Sequence, residues 1–273
     1  MSSSARGRVT KIKRGKASQQ KTAIDRLHKK PAKDDKKGLP LVERTNKLSL
    51  DKFVELYMPQ GGLKFKARPK IIEDTNTNED EWLHRTLDIY TAESIPAADF
   101  EECFKLIEET SSDTYKKSGW GWSPKKKRKE MRLPDMKYLI LREDPRSTQN
   151  TSPAAEGTGT TAGRFLGFTS FMVTYEDGKE VLYCYEIHVS PAAQGQGVGT
   201  CLLMRLLIIG RRIGLEKVML TVFESNIRAA RFYDKLGFSK DEFSPGPRIL
   251  RNGMEKDPDY RIMSRSLRPD NEW

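Results

Sequence analysis

The chain has 273 residues, 36% of them hydrophobic, and carries 49 Lys/Arg against 38 Asp/Glu for a net charge of +11. That is enough for one generous core, or one domain with tails. Residues 1–38 hold 13 Lys/Arg and 3 Asp/Glu, which leaves 36 against 35 for the remainder, so net charge does not imply a basic nucleic-acid-binding face on the folded body.

No apolar run approaches the ~20 residues that cross a bilayer, and Met1 to Thr10 lacks the apolar stretch of a secretion signal. Cys103, Cys184 and Cys201 form no C-x-x-C pair and read as small core residues in a reducing compartment. A soluble intracellular protein with no membrane contact and no metal site is expected.

Residues 1–38, rich in Lys, Arg, Ser and Gln, are expected to be a disordered basic tail. Their clusters suit a nuclear import signal, a weak nucleic-acid contact or simply a solvated tail. Between Leu39 and Met58 leucines return, with Ser49 placed to cap a short helix that packs on the body; Pro59-Gln60-Gly61-Gly62 stops it. Residues 70–81 read as loop, and Arg85–Thr91 as the first strand. Pro96 opens a helix carrying Phe100, Cys103, Phe104, Leu106 and Ile107, expected to end near Thr110-Ser111-Ser112.

Tyr115 then leads into Ser118-Gly119-Trp120-Gly121-Trp122, which sets large aromatic faces where the backbone turns, either as a peptide-binding wall or as a plug at the core edge. Lys125–Lys129 reads as a solvated helical face. Lys137–Arg142 and Arg164–Tyr175 read as strands separated by a low-complexity insertion, Glu143–Gly163. Glu176-Asp177-Gly178 reads as a hairpin turn into a further strand, Val181–Val189.

Gln194-Gly195-Gln196-Gly197-Val198-Gly199-Thr200 comes next, then a helix with Val198, Cys201, Leu202, Leu206 and Ile209 at three- and four-residue steps. Lys217–Phe223 is a strand, Asn226 caps a last helix that ends at Gly237, and Asp259–Arg265 closes the sheet. A strand, a glycine-rich turn and a helix make an anion site, because the first helical N–H groups lack partners. The spacing is neither a dinucleotide fingerprint nor a P-loop.

The pattern Gln194-x-x-Gly197-x-Gly199 resembles the pyrophosphate loop of the GNAT acetyltransferases, which hold acetyl-CoA. Tyr115 with Ser118-x-Trp120-Gly121-Trp122, Glu180–Glu186 (with its Tyr-Cys-Tyr-Glu), Lys217–Phe223 and Asn226 resemble the NatD type of N-alpha-acetyltransferase, over roughly Leu41–Arg265 except the Glu143–Gly163 insertion. The resemblance implies an α/β (α+β) GNAT fold, a mixed and mostly antiparallel sheet flanked by helices. It divides the chain into a tail (1–38), a helix and loop (39–84) and an acetyltransferase domain (85–268).

It further implies transfer of acetyl from acetyl-CoA to the α-amino group of histone N-terminal tails beginning Ser-Gly-Arg-Gly, of the H-four and H-two-A kind, by a nuclear and cytoplasmic monomer. Ile187, His188 and Val189 are expected to pair with the pantetheine arm, Gln194, Gly195, Gln196, Gly197, Val198, Gly199 and Thr200 to take the pyrophosphate, and Asn226 to stand near the arm. Tyr115, Trp120, Glu176, Tyr183, Tyr185, Thr221 and Tyr260 are expected on the peptide, with Thr174 where the family can carry a second acid. Tyr233 is either the residue that protonates the thiolate or core packing.

Glu186 is expected as the catalytic base, with the catalytic Tyr185 approaching the amine from the other side: Glu186 is an acid in an otherwise apolar strand, where burial would raise its pKa. Simple alternation puts Leu182, Cys184, Glu186 and His188 on one face and Tyr183, Tyr185, Ile187 and Val189 on the other, unless a bulge intervenes. A lysine or small-amine acetyltransferase, and a non-catalytic histone-tail-binding protein, are the alternatives.

Overall fold

The computed structural model describes residues 38–59, 64–67, 83–143 and 163–268. The expected basic tail up to residue 37, the loop 70–81 and residues 144–162 of the insertion lie outside them. The leucine-rich segment forms two helices rather than one, α1 (Leu41–Asn46) and α2 (Leu50–Tyr57). Ser49 causes the break: its extended backbone interrupts the run, and its hydroxyl accepts the Lys52 N–H at 3.3 Å to start the second helix. Phe53 of α2 is fully buried beside Phe171, and the Asn46 amide donates to the Val173 carbonyl at 2.9 Å.

Strand β1 (Lys64–Ala67) precedes β2 (Leu83–Thr91), so the sheet begins earlier than expected. Helix α3 (Ala97–Lys117) runs more than a turn past Thr110–Ser112. The Thr110 hydroxyl donates to the Leu106 carbonyl one turn back at 2.7 Å, which satisfies it inside the helix and removes the expected stop. Helix α4 (Pro124–Met131) starts with Pro inside its first turn and Ser123 as cap.

The remaining strands are β3 (Lys137–Glu143), β4 (Phe165–Glu176), β5 (Lys179–Val189), β6 (Lys217–Phe223), β7 (Ser239–Lys240), β8 (Arg248–Ile249), β9 (Glu255–Lys256) and β10 (Tyr260–Ser266). Between them come helices α5 (Val198–Ile213) and α6 (Ile227–Lys235). Eight strands form one sheet in the order β1-β2-β3-β4-β5-β6-β10-β7, while β8 and β9 pair with each other. Every pairing among the described strands is antiparallel except β5 with β6, whose parallel register requires the crossover that α5 supplies.

Two layers of helix cover the sheet. On one face Leu202, Leu206 and Ile209 of α5 and Tyr233 of α6 pack with Leu182, Cys184 and Val218. On the other, Phe100, Phe104 and Ile107 of α3 and Met131 of α4 meet Tyr138, Ile140 and Phe168. At the β4–β5 turn Asp177 and Gly178 both take positive φ, 46° and 83°, as a two-residue hairpin demands.

Two irregularities distort the sheet along β5. The β5–β6 ladder runs only from Val181/Lys217 to Cys184/Leu220, although both strands continue, so they part as a fork beyond Cys184. In the β4–β5 ladder Ser170 faces Glu186 and Phe171 faces Cys184, which leaves Tyr185 as the extra residue of a bulge. The bulge corrects the simple alternation. Cys184, Ile187 and Val189 lie in the core toward α5, whereas Glu186 and His188 turn toward α3 and α4 with Tyr183 and Tyr185.

Candidate active site

A cavity of about 420 Å³ opens where β5 and β6 part. Of the residues singled out from the sequence, Tyr115, Trp120, Tyr183, Tyr185, Glu186, Ile187, His188, Thr221, Asn226 and Tyr233 line it. Glu176, Val189, Gln194 to Thr200 and Tyr260 stand outside its wall. Glu176 is buried at the hairpin, and its charge acts on both Tyr183 and Tyr185; Tyr260 packs on Trp120 with ring centroids 5.0 Å apart. Thr174 is buried on β4 opposite Val181.

Glu186, 7% exposed, is gripped from both sides. Its Oε1 accepts from Lys127 Nζ at 2.8 Å, and its Oε2 lies 2.6 Å from His188 Nε2. The other ring nitrogen of His188 sits 2.7 Å from the Thr110 hydroxyl, so both nitrogens of the imidazole are engaged by protein groups. Burial alone would raise the Glu186 pKa, but the Lys127 charge and the His188 contact outweigh it and bring the pKa down to about 2. The expected upward shift is therefore reversed, and Glu186 is a persistent carboxylate.

Lys127 corrects a second expectation. Lys125, Lys126 and Lys129 stand at the surface, as a solvated face would, yet Lys127 is 5% exposed and points inward from α4. Its ammonium donates to Glu186, to the Tyr115 hydroxyl at 2.9 Å and to Glu130 Oε1 at 3.0 Å. Nothing in the local sequence distinguishes it from its neighbours except a three-residue step to Glu130 and the apolar Met131 beyond.

The upper wall is aromatic. Tyr115 meets Phe223 edge-on at 5.1 Å and Trp122 at 5.6 Å; Trp120 meets Phe223 at 5.5 Å. Trp122 also stacks on Phe104 at 6.1 Å, so of the two tryptophans one belongs to the groove and the other joins groove to core. The Gly119 N–H donates to Asp259 Oδ2 at 2.6 Å, which ties the Trp-Gly-Trp loop to the start of β10. Deeper in, Tyr183 and Thr221 join their hydroxyls across the two strands at 2.5 Å. The buried Tyr185 hydroxyl has no hydrogen-bond partner. A phenol in the cavity wall left in that state is fitted for a ligand that would complete it. Burial raises the pKa values of Tyr185 and Tyr233, so both phenols stay neutral at any working pH.

Beyond β5, Gly195 and Gly197 take φ of 78° and 75°, and Gly197 caps α5 without any side-chain hydrogen bond. The first N–H groups of α5 are thereby left bare at an accessible turn, which fits an anionic phosphate group. Val198 departs from its neighbours, since its side chain is core. The Asn226 side chain accepts from Ala229 N–H at 3.1 Å as the cap of α6. Arg85, which no sequence signal marks, is 2% exposed behind the loop and donates to the Gln196 carbonyl at 3.1 Å and to its side-chain oxygen at 3.2 Å.

The forked parallel pair, the bulge at Tyr185, the glycine turn and the helix N-terminus define the fold as that of a GNAT acetyltransferase. Residues 106–238 match the model of the acetyltransferase (GNAT) family.

N-alpha-acetyltransferase 40 of Saccharomyces cerevisiae is 41% identical over 98 residues, 29% of this chain and 34% of the yeast protein. Glucosamine 6-phosphate N-acetyltransferase of Trypanosoma brucei brucei is 35% identical over 83 residues, 29% of this chain and 54% of its own. The chain thus spans about a third and about half of these two relatives. A crystal structure of the ribosomal-protein-S18-alanine N-acetyltransferase from Escherichia coli aligns with 69% of this chain and 99% of its own at 20% identity, TM-score 0.43.

Proposed function

We propose that the protein transfers the acetyl group of acetyl-CoA to the α-amino group of a protein N-terminus, and that its substrates are histone tails of the Ser-Gly-Arg-Gly type. One observation carries the reading: an ionised carboxylate, Glu186, at the fork of β5 and β6 and at the base of an aromatic groove. The open β5 edge from Tyr185 to Val189 offers backbone groups to a pantetheine arm, and the bare amides of Val198, Gly199 and Thr200 at the start of α5 suit its pyrophosphate.

The low basicity of Glu186 bears on the substrate. A carboxylate held near 2 cannot strip a lysine ammonium, whose pKa is about 10.4. An α-amine, at about 7.7–8.0, is roughly one-third neutral at pH 7.5, against about one part in a thousand for lysine. Glu186 then needs only to orient the neutral amine, directly or through a water. As the amine nitrogen bonds to the acetyl carbon and the carbon–sulfur bond breaks, the proton lost from nitrogen ends on the departing thiolate, with Tyr233 the neutral phenol placed to deliver it.

The histone assignment is supported by the likeness to the NatD type at Tyr-Cys-Tyr-Glu and Trp-Gly-Trp; the yeast relative's name supports the α-amine as acceptor. The likeness assigns Glu176 to the peptide's arginine; it is buried at the hairpin beside Tyr183 and Tyr185, and Thr174 adds no second acid there. The test is incubation with a Ser-Gly-Arg-Gly peptide and its N-blocked copy, both containing lysine. Label confined to the free amino terminus is expected; label on the blocked copy would overturn the reading.

A further inference from the structure

Lys127 reaches from α4 into a groove lined also by α3, the Trp-Gly-Trp loop, β5, β6 and α6. An ammonium has three N–H donors, and Glu186, Tyr115 and Glu130 use all three, at 2.8, 2.9 and 3.0 Å. Its nitrogen also lies 4.7 Å from the Tyr115 ring centroid. With its donors spent and its stem buried, Lys127 has no freedom to swing toward solvent. It fixes the Tyr115 ring, which lines the peptide groove, and the Glu186 carboxylate together.

We propose that Lys127 is a positioning residue that locks Glu186 in its anionic form and aims it, so that the pH dependence of acetyl transfer reports the incoming amine and not the enzyme. This rests on the acetyltransferase reading of the site. The groups that bear on Glu186 are Lys127 and Glu130 from α4 and Tyr115 from α3. From the sheet and α6 come His188 and Cys184 on its own strand, Tyr138 on β3 and Tyr233. The tyrosines and Cys184 are neutral across the working range, and Glu130 carries the same sign as Glu186. Lys127 is thus the lysine ammonium in contact with Glu186 that opposes its protonation.

The test begins with carbon-13 NMR of glutamate-labelled protein, with Glu186 assigned from the Glu186→Gln variant. In the unmodified protein the Glu186 carboxyl resonance should stay fixed from pH 5 to 9, and in Lys127→Met it should titrate within that range. A Glu186 resonance that titrates above pH 5 in the unmodified protein, or stays fixed in Lys127→Met, overturns the proposal. If Lys127→Met does not fold, the unmodified protein alone decides by the same criterion.

Turnover supplies the second readout. In Lys127→Met, kcat/KM on the Ser-Gly-Arg-Gly peptide should gain a second acid-side ionisation, with an extra loss of about tenfold per pH unit below it. Lys127→Arg should restore the single ionisation. A uniform loss at every pH would mark Lys127 as merely structural and contradict the proposal. Absence of turnover in the unmodified protein, with the NMR result as expected, would count against the acetyltransferase reading and leave the hold of Lys127 on Glu186 standing.

Discussion

Lys127 Nζ lies 2.8 Å from Glu186 Oε1, a contact between residues 59 positions apart, with 6% and 8% of their side chains exposed. Two such charges are stable in the interior only together. Glu186→Ala removes one and strands the other, so it should destabilise the protein by about 3–5 kcal/mol in urea unfolding. Glu186→Gln keeps the shape and loses the charge. It should lower kcat by about 10²–10³ while leaving acetyl-CoA affinity within about twofold, as measured by steady-state kinetics and calorimetry.

The same pair sets the response to acid. The pKa of Glu186 is lowered on folding, to about 2 from an ordinary carboxylate value of about 4.3. A group of that kind contributes stability that is fully present above its unfolded pKa and lost as pH falls through the folded one. Between about pH 4.5 and 2 the unmodified protein should therefore lose on the order of 3 kcal/mol from this group alone. Glu186→Gln should show a shallower loss over that window; an identical slope would contradict the assignment.

How much of this was legible in the sequence depended on whether the governing interaction is local. The Ser49 and Asn226 caps, the Asp177-Gly178 hairpin and the limits of Lys217–Phe223 were readable because each depends on neighbouring residues. Tyr115, Tyr185 and Glu186 were found through short motifs. The burial of Lys127 and the depressed pKa of Glu186 were not, because each depends on a partner from a distant element, and a lysine run reads alike whether one member turns inward or none does. The bulge at Tyr185 is set by pairing with β4, which strand alternation cannot show. Arg85 was missed for the same reason, its partner lying 111 positions away.

The aromatic wall is expected to act on the peptide and not on the cofactor side. Trp120 touches Phe223 and Tyr260 and lines the cavity above Glu186. Trp120→Ala should raise the peptide KM about tenfold and leave the acetyl-CoA KM unchanged. An equal rise in both would mean that the loop supports the whole fork.

The glycine turn should show the converse pattern. Gly197 has open space where a Cβ would stand, but its φ of 75° is one that L residues adopt at a penalty of about 1–2 kcal/mol. Gly197→Ala is thus expected to weaken acetyl-CoA binding at least tenfold while the peptide KM stays close to that of the unmodified protein. Loss of peptide affinity alone would show that the turn serves another purpose.

The central claim is that the glycine turn with the bare first amides of α5, Val198 to Thr200, and the open edge of β5 receive acetyl-CoA, setting its thioester beside Glu186. Titration calorimetry of the purified protein with acetyl-CoA measures this without any assumption about the acceptor. Saturable heat at one site per chain is the predicted result, reduced in Gly197→Ala and preserved in Glu186→Gln; no heat with either acetyl-CoA or CoA would contradict the account.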